Sequence, residues 1–234
     1  MGDRAGADSS PLGPRRTATH TAFLAERPAG ADEDVHMLAA IVDHVIERLT
    51  EPGDTVLDPF AGYGTTIERA VALGRRAIGI ELLPERVAHM RQRTASARLI
   101  EGDARELVRL LELDPAKPDA GINLVLTSPP YMTATDHDAD PLTAYERDGG
   151  DYRRYLMELG FVAAQCARVV VPGGHVVWNV ADIHHADHTT PLIRDCWRVL
   201  GQQLTPVGIT EIVWDRYPHD LIADALLVLR REPA

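Results

Sequence analysis

Five consecutive residues, Thr127-Ser128-Pro129-Pro130-Tyr131, carry the most specific chemistry in the chain. A residue before proline is pushed toward extended geometry, and proline has no N–H to donate. The run therefore leaves a strand stiffly and presents oxygens that accept hydrogen bonds, next to an aromatic ring. A strand closed by an ordinary proline turn would read the same way.

A second stretch is Asp58-Pro59-Phe60-Ala61-Gly62-Tyr63-Gly64-Thr65-Thr66. It stands between the β-branched and aliphatic run Thr55-Val56-Leu57 and the amphipathic run 67–73, which Gly74 closes. The pattern reads strand, glycine turn, helix. Such a turn offers backbone N–H groups at a helix N-terminus, where polar ligands bind. Gly62 and Gly64 permit positive φ and a close approach of ligand to backbone. Glu81 follows 19 residues after Gly62, at the end of the next apolar run. An acid there accepts two ribose hydroxyls in open α/β folds. Asp103 follows a third such run, where it serves as a helix N-cap, as an acceptor for an adenine amino group, or as both.

These residues need a scaffold that brings the ends of separate strands together. Strands are expected at 55–58, 76–81, 98–101, 122–126, 176–180, about 205–214 and about 224–230. Helices are expected at about 32–49 with Asp32 as its cap, 65–73, 84–95, 104–113, about 155–169 closed by Pro172-Gly173-Gly174, and about 189–200. Alternation of the two implies a doubly wound, mainly parallel, Rossmann-like sheet of about seven strands. The last two strands have no helix between them and should form an antiparallel hairpin. Asp58, Glu81, Asp103 and Ser128 all fall at strand carboxyl ends, where such sheets bind ligands.

The 234 residues suit one α/β domain, and 45% hydrophobic residues support a sizeable core. Residues 1–16 are Gly, Pro, Ser and charge, read as a mobile tail; residues 17–234 are read as one domain. No apolar run approaches the ~18 residues of a membrane span. Two cysteines in helix-like stretches, Cys166 and Cys196, suit a reduced, cytoplasmic setting. The net charge of −11 weighs against a protein that grips a phosphate backbone alone.

Taken together, DPFAGYGTT, then Gly79-Ile80-Glu81, then Gly102-Asp103-Ala104, then TSPPY resemble the successive motifs of the S-adenosylmethionine-dependent DNA amino-methyltransferases of the cytosine-N4 and adenine-N6 class. The likeness spans roughly residues 32–183. It implies a class I methyltransferase sheet and S-adenosylmethionine as the methyl donor. It places Phe60, Gly62 and Gly64 along the methionine part of that cofactor, with Ala61, Thr65 and Thr127 beside it and Asp58 near its amino group. Glu81 would hold the ribose and Asp103 would face the adenine. Ser128 and the Pro129 carbonyl would accept from the target amino group, with Pro130 stiffening the segment and Tyr131 stacking on the target ring. His20 and Phe23 resemble a segment that closes over the methionine end. Serine at position 128 leans toward cytosine N4.

The chain departs from that family in having little room for a target-recognition region. Residues 132–151 hold six acids against Arg147 alone, and the link at about 215–223 is shorter still. Three readings follow: methylation of an amino nitrogen in nucleic acid, with a partner subunit or a second copy supplying the grip; methylation of a small-molecule or peptide amine; and a cofactor-binding subunit without activity. Retention of Ser128, both prolines and Tyr131 argues against the third. Asp182, His184, His185, Asp187 and His188 cluster after the fifth strand without the spacing of a zinc site, and no metal is expected. Trp178 and Asn179 receive no role. Trp214, Tyr217 and His219 either line the substrate pocket or pack the hairpin. His44 and His89 fall on helices, outside the chemistry.

Overall fold

Strand and helix alternate along the chain and assemble into a mainly parallel sheet with helices on both faces. The computed structural model describes residues 10–28, 36–112, 121–130, 152–185 and 188–233. In order these form β1 (Arg15–Ala18), α1 (His20–Ala25), α2 (Ala39–Leu49), β2 (Thr55–Asp58), α3 (Thr65–Ala72), β3 (Arg76–Glu81), α4 (Pro84–Arg93) and β4 (Arg98–Glu101). Then come α5 (Leu107–Leu110), β5 (Ile122–Thr127), α6 (Tyr152–Val169), β6 (Val170–His184), β7 (Thr189–Thr190), α7 (Leu192–Leu200), β8 (Thr205–Trp214) and β9 (Leu221–Arg230).

Among the described residues the sheet has nine strands in the order β1-β8-β9-β6-β5-β2-β3-β4, with β7 paired to β6. The expected seven are all present, joined by β1 and the short β7. The pairs that β2 makes with β3 and β5 are parallel, as are β3–β4 and β5–β6, while β9 runs antiparallel to both β6 and β8. From β2 the chain steps outward to β3 and β4, then crosses back to β5 on the other side. The carboxyl ends of β2 and β5 therefore flank the switch point where open α/β sheets bind ligands. β2 is buried at all four positions, as a central parallel strand must be.

Two apolar layers clamp the sheet. One face packs Leu107, Tyr155, Leu159, Cys166, Leu192 and Leu200 of α5, α6 and α7. The other packs Phe23 of α1 and the buried positions of α2, α3 and α4, including Ile46, Ile67 and Met90. No helix among the described residues is long and apolar enough to cross a membrane.

Several expectations are corrected. Residues 10–16 are no mobile tail. Leu12 is 1% exposed, and Arg15 begins β1, which pairs in parallel with β8. The Thr210 hydroxyl donates to the Gly13 carbonyl at 2.7 Å, so the Ser10 hydroxyl 2.7 Å from Thr210 Oγ1 must be the donor in that pair. Residues 1–9 lie outside the described residues. Thr210→Val should therefore lower stability by about 2 kcal/mol, the cost of stranding buried polar groups, and lower Tm by about 4–8 °C. A melting curve within 1 °C of wild type would restore the tail reading.

α2 starts at Ala39, and its first N–H is received by Glu26 Oε2 at 2.7 Å. The cap is a tertiary contact; Asp32 lies outside the described residues. The helix expected over 104–113 is a 3₁₀ turn, Ala104–Glu106, followed by the single turn of α5. α4 stops at Arg93, short of the expected 95, where the Thr94 hydroxyl turns back to the Met90 carbonyl at 2.8 Å. The Pro172-Gly173-Gly174 run lies inside β6. The β5–β6 register shifts between Ile122 and Leu124, which absorbs it.

Candidate functional site

The glycine turn is held by its neighbours on both sides. Ala61 N donates to the Ile80 carbonyl at 2.9 Å, and Gly64 N to the Ala61 carbonyl at 2.8 Å. Gly62 and Gly64 have φ of +55° and +96°, so both positions require glycine or strain. Gly64 forms the N-cap of α3, and a Cβ placed on it would meet Met90 Cγ at 2.7 Å. A Cβ placed on Gly62 would meet nothing within 4 Å. The turn is thus closed against α4 on one side and open on the other. Phe60, Ala61 and Thr65 belong to the same turn; Ala61 is buried, and Phe60 and Thr65 are half-buried.

Glu81 braces this turn as well as facing it. Its Oε2 accepts from Gly62 N at 2.7 Å and its Oε1 from Leu83 N at 3.0 Å. Both oxygens of the carboxylate are thus engaged by the backbone of the turn and of the segment after β3. Sequence reasoning missed this second task, because nothing in the 19-residue spacing reports it.

Asp58 lies at the end of β2, 2% exposed. It accepts from Phe60 N at 3.0 Å and from Thr127 Oγ1 at 2.5 Å. Burial pushes its carboxyl up to about 6, against the pull of these bonds. Thr127 is fully buried, and its hydroxyl serves Asp58 directly and a ligand only through it. This bond stitches the ends of β2 and β5 across the switch point.

Ser128 and Pro130 are half-buried at the end of β5 and Pro129 is buried. The Pro130 carbonyl accepts from the Tyr155 hydroxyl at 2.7 Å, which ties the segment to α6. Tyr155 read from sequence as a core position of its helix, and its anchoring bond carries no sequence signal. Tyr131 and residues 132–151 lie outside the described residues.

Asp103 caps the 3₁₀ turn through Arg105 N at 2.8 Å. Arg105 also holds the carboxylate through its guanidinium, with the closest contact 2.6 Å. Burial pushes Asp103 up, but the bonds and charge of Arg105 outweigh it and hold the group below its usual range. The capping role is realised. Arg105, which sequence reasoning passed over, is the dominant partner here.

A cluster of rings gathers at the far strands of the same sheet edge. Phe23 of α1 stacks on His36 with centroids 4.5 Å apart and meets Trp214 and His219 edge-on at 5.9 Å and 6.0 Å. His20 lies 6.1 Å from Phe23, and its backbone N–H donates to Asp215 at 2.8 Å. β8 runs parallel to β1 and antiparallel to β9, so Trp214, His219 and α1 share the sheet edge that carries Asp58 and Ser128. Burial, then Asp224 and Glu211, pushes the Tyr217 hydroxyl up.

Asp182 accepts from Ile193 N at 2.8 Å, while His185 and His188 stack 4.3 Å apart with His185 Nε2 3.0 Å from Thr190 Oγ1. Asp187 lies outside the described residues. No group of three or more His, Cys, Asp or Glu among the described residues is placed to hold a metal. His44 is engaged with Arg16 and the Leu12 carbonyl, away from the site.

A DNA methylase family model matches residues 37–92, from the start of α2 through the glycine turn and Glu81 to α4. The type II methyltransferase M.BsoBI of Geobacillus stearothermophilus is 30% identical over 136 residues, 52% of this chain and 26% of that protein. The putative methylase YubD of Escherichia coli is 48% identical over 54 residues, 23% of this chain and 24% of that protein. These matches support the DNA amino-methyltransferase family. The chain spans about a quarter of the length of these two relatives.

Solved structures agree on the fold. A geranyl diphosphate methyltransferase solved with S-adenosylmethionine superposes at a TM-score of 0.55 and 13% identity, over 91% of this chain and 94% of that one. The 1,6-didemethyltoxoflavin-N1-methyltransferase of Burkholderia thailandensis gives 0.53 at 18% identity, over 83% and 76%. The DNA amino-methyltransferase-like motifs sit on a class I methyltransferase sheet, as expected, with the C-terminal antiparallel hairpin in place.

Proposed function

We propose that the chain transfers a methyl group from S-adenosylmethionine to an amino nitrogen, and that the nitrogen belongs to a nucleobase. The observation that carries this reading is the alignment of Asp58, Glu81 and Ser128 at the carboxyl ends of β2, β3 and β5 around one switch point. The open side of Gly62 leaves room for a ligand against the backbone. The Asp58 carboxylate suits an ammonium group, and Glu81 suits a pair of hydroxyls. That donor set fits S-adenosylmethionine. When bound, the cofactor supplies an electrophilic methyl group on a sulfonium.

The residues of this chain do the rest. An exocyclic amino group has its lone pair delocalised into the ring and is a poor nucleophile. The Ser128 hydroxyl and the Pro129 carbonyl accept its two N–H groups, which directs the lone pair toward the methyl group. They also stabilise the positive charge that develops on nitrogen. The bond from Tyr155 to the Pro130 carbonyl fixes the segment in place, and fixed alignment supplies much of the rate. Ser128 is too weak a base to take the proton first, so the proton leaves the charged nitrogen after attack. Tyr131 stacks on the target ring. Asp103, steadied by Arg105, faces the adenine of the cofactor.

The DNA methyltransferase relatives favour a nucleobase over a free amine. The methyltransferase domain takes in residues 10–16 as well as those from 17 on, and the sequence leaves little room within it for a recognition region. With a net charge of −11, the grip on nucleic acid and the cost of flipping a base fall to a partner subunit or a second copy. The setting is the reducing cytoplasm. A small-molecule or peptide amine is the competing acceptor.

A labelled-methyl assay offering duplex DNA, single-stranded DNA, RNA, nucleosides and amine metabolites tests this directly. Label in DNA supports the reading; label confined to free amines overturns the nucleobase assignment. Absence of S-adenosylmethionine binding by calorimetry overturns the whole. Ser128→Ala should lower kcat about a hundredfold, the scale of losing one aligned transition-state partner, while cofactor Kd stays within threefold.

A further inference from the structure

Asn179 lies one strand over from Ser128. The parallel register sets Thr127 beside Trp178, so the next position on β6 stands beside Ser128 at the mouth of the site. Asn179 is 8% exposed. Its Nδ2 donates to Asp224 Oδ1 at 2.6 Å and to the Ala225 carbonyl at 3.2 Å. Both acceptors are on β9, on the side of β6 away from β5. An amide nitrogen has two protons, and both are used. A flip of the amide would break both bonds, so Oδ1 is left as the side-chain atom that makes no bond to β9. Among the described residues nothing donates to that oxygen, and it is not sealed from solvent.

Asp224 completes the lock. It is 6% exposed, and its second oxygen accepts from Trp214 Nε1 at 2.8 Å. A buried carboxylate is expensive to keep, and packed apolar residues in its place are often as stable or more so. Stability alone does not account for an acid at this position. Orientation of Asn179 does.

We propose that Asn179 Oδ1 faces the reacting amino group from β6 and shares, as the second acceptor of a bifurcated bond, the N–H that Ser128 accepts from β5, with Asp224 as the residue that fixes its orientation. This rests on the amino-transfer reading above. The carbonyl dipole of Asn179 strengthens its hold as nitrogen becomes positive, so its contribution falls on kcat more than on KM. Trp214 steadies Asp224 through its indole N–H.

The test compares three proteins, wild type included, in the labelled-methyl assay, with duplex DNA, single-stranded DNA, cytidine and adenosine as acceptors. Asn179→Ala should lower kcat about thirtyfold with KM and S-adenosylmethionine Kd within threefold. Asn179→Ala strands the buried Asp224 and could unfold, so the double variant N179L/D224L replaces the pair with apolar bulk. It should melt within 5 °C of wild type and show the same loss of kcat. A folded N179L/D224L protein with kcat within threefold of wild type overturns the proposal. A wild type that binds cofactor yet methylates none of the acceptors defeats the amino-transfer reading instead. In that case unchanged Asn179 side-chain amide signals on adding cytidine or adenosine defeat this proposal too.

Discussion

Gly64→Val should abolish measurable S-adenosylmethionine binding, a loss of at least about a thousandfold, and should destabilise the protein by about 3–5 kcal/mol. Two costs add. A β-branched residue at φ +96° sits in the left-handed region that only glycine enters freely, at about 1–3 kcal/mol. Its Cβ would also meet Met90 Cγ at 2.7 Å and Sδ at 3.0 Å. Met90 is fully buried, so it cannot swing clear, and overpacking of this kind costs about 1–3 kcal/mol. Relief comes only by moving the turn, and the turn is the wall proposed for the cofactor. Gly62→Ala is the control. Its φ of +55° carries a strain cost but its Cβ enters open space, so it should lose affinity with little loss of stability. Calorimetry and thermal melts on both variants decide the matter. Binding by Gly64→Val within tenfold of wild type would remove the glycine turn from the site.

The parts of the site that could be read from the sequence are those set by local chemistry. Prolines after Ser128, glycines at 62 and 64, and acids at the ends of apolar runs each dictate conformation within a few residues. The parts that could not be read are set by contacts across the sheet. Thr210 holds residues 10–13 from about 200 positions away, and that segment has only the composition of a tail. Glu26 caps α2 from 13 residues upstream, so the search for a local cap led to Asp32. Tyr155 anchors Pro130, and Asp224 orients Asn179, by bonds spanning 25 and 45 positions. Hydrogen bonds of this kind leave no period in the sequence. The leucines at 107, 110 and 111 did suggest a longer helix, but after the 3₁₀ turn the chain uses the first two in the single turn of α5 and the third as its C-cap, and Leu107 and Leu111 pack in the same core layer as α6.

Cofactor affinity should depend on pH through the buried acid at the end of β2, and Asp58→Asn should remove that dependence. Burial raises the Asp58 carboxyl from 3.8 to about 6 in the folded protein. The folded state therefore holds the proton more tightly than the unfolded one. Its stability from this group is highest below pH 4, falls as pH rises through about 4–6, and is level above. The difference corresponds to about 3 kcal/mol. An ammonium group requires the ionised form, so wild-type affinity for S-adenosylmethionine should rise about tenfold per pH unit up to about pH 6 and then level off. Binding at pH 6 should release about half a proton, read from the buffer dependence of the calorimetric enthalpy. Asparagine is nearly the same shape and can still accept from Phe60 N and Thr127 Oγ1. The Asp58→Asn protein should be about 2–3 kcal/mol more stable than wild type at pH 8, a margin that closes toward pH 4. Its affinity should be flat with pH and about a hundredfold weaker at pH 8, the loss of one buried charge partner. A variant that keeps the wild-type slope would assign the titration to another group. One that binds within threefold at pH 8 would mean that Asp58 only shapes the turn. The predicted pairing of higher stability with weaker binding follows because the bare carboxylate is costly until a cation sits against it.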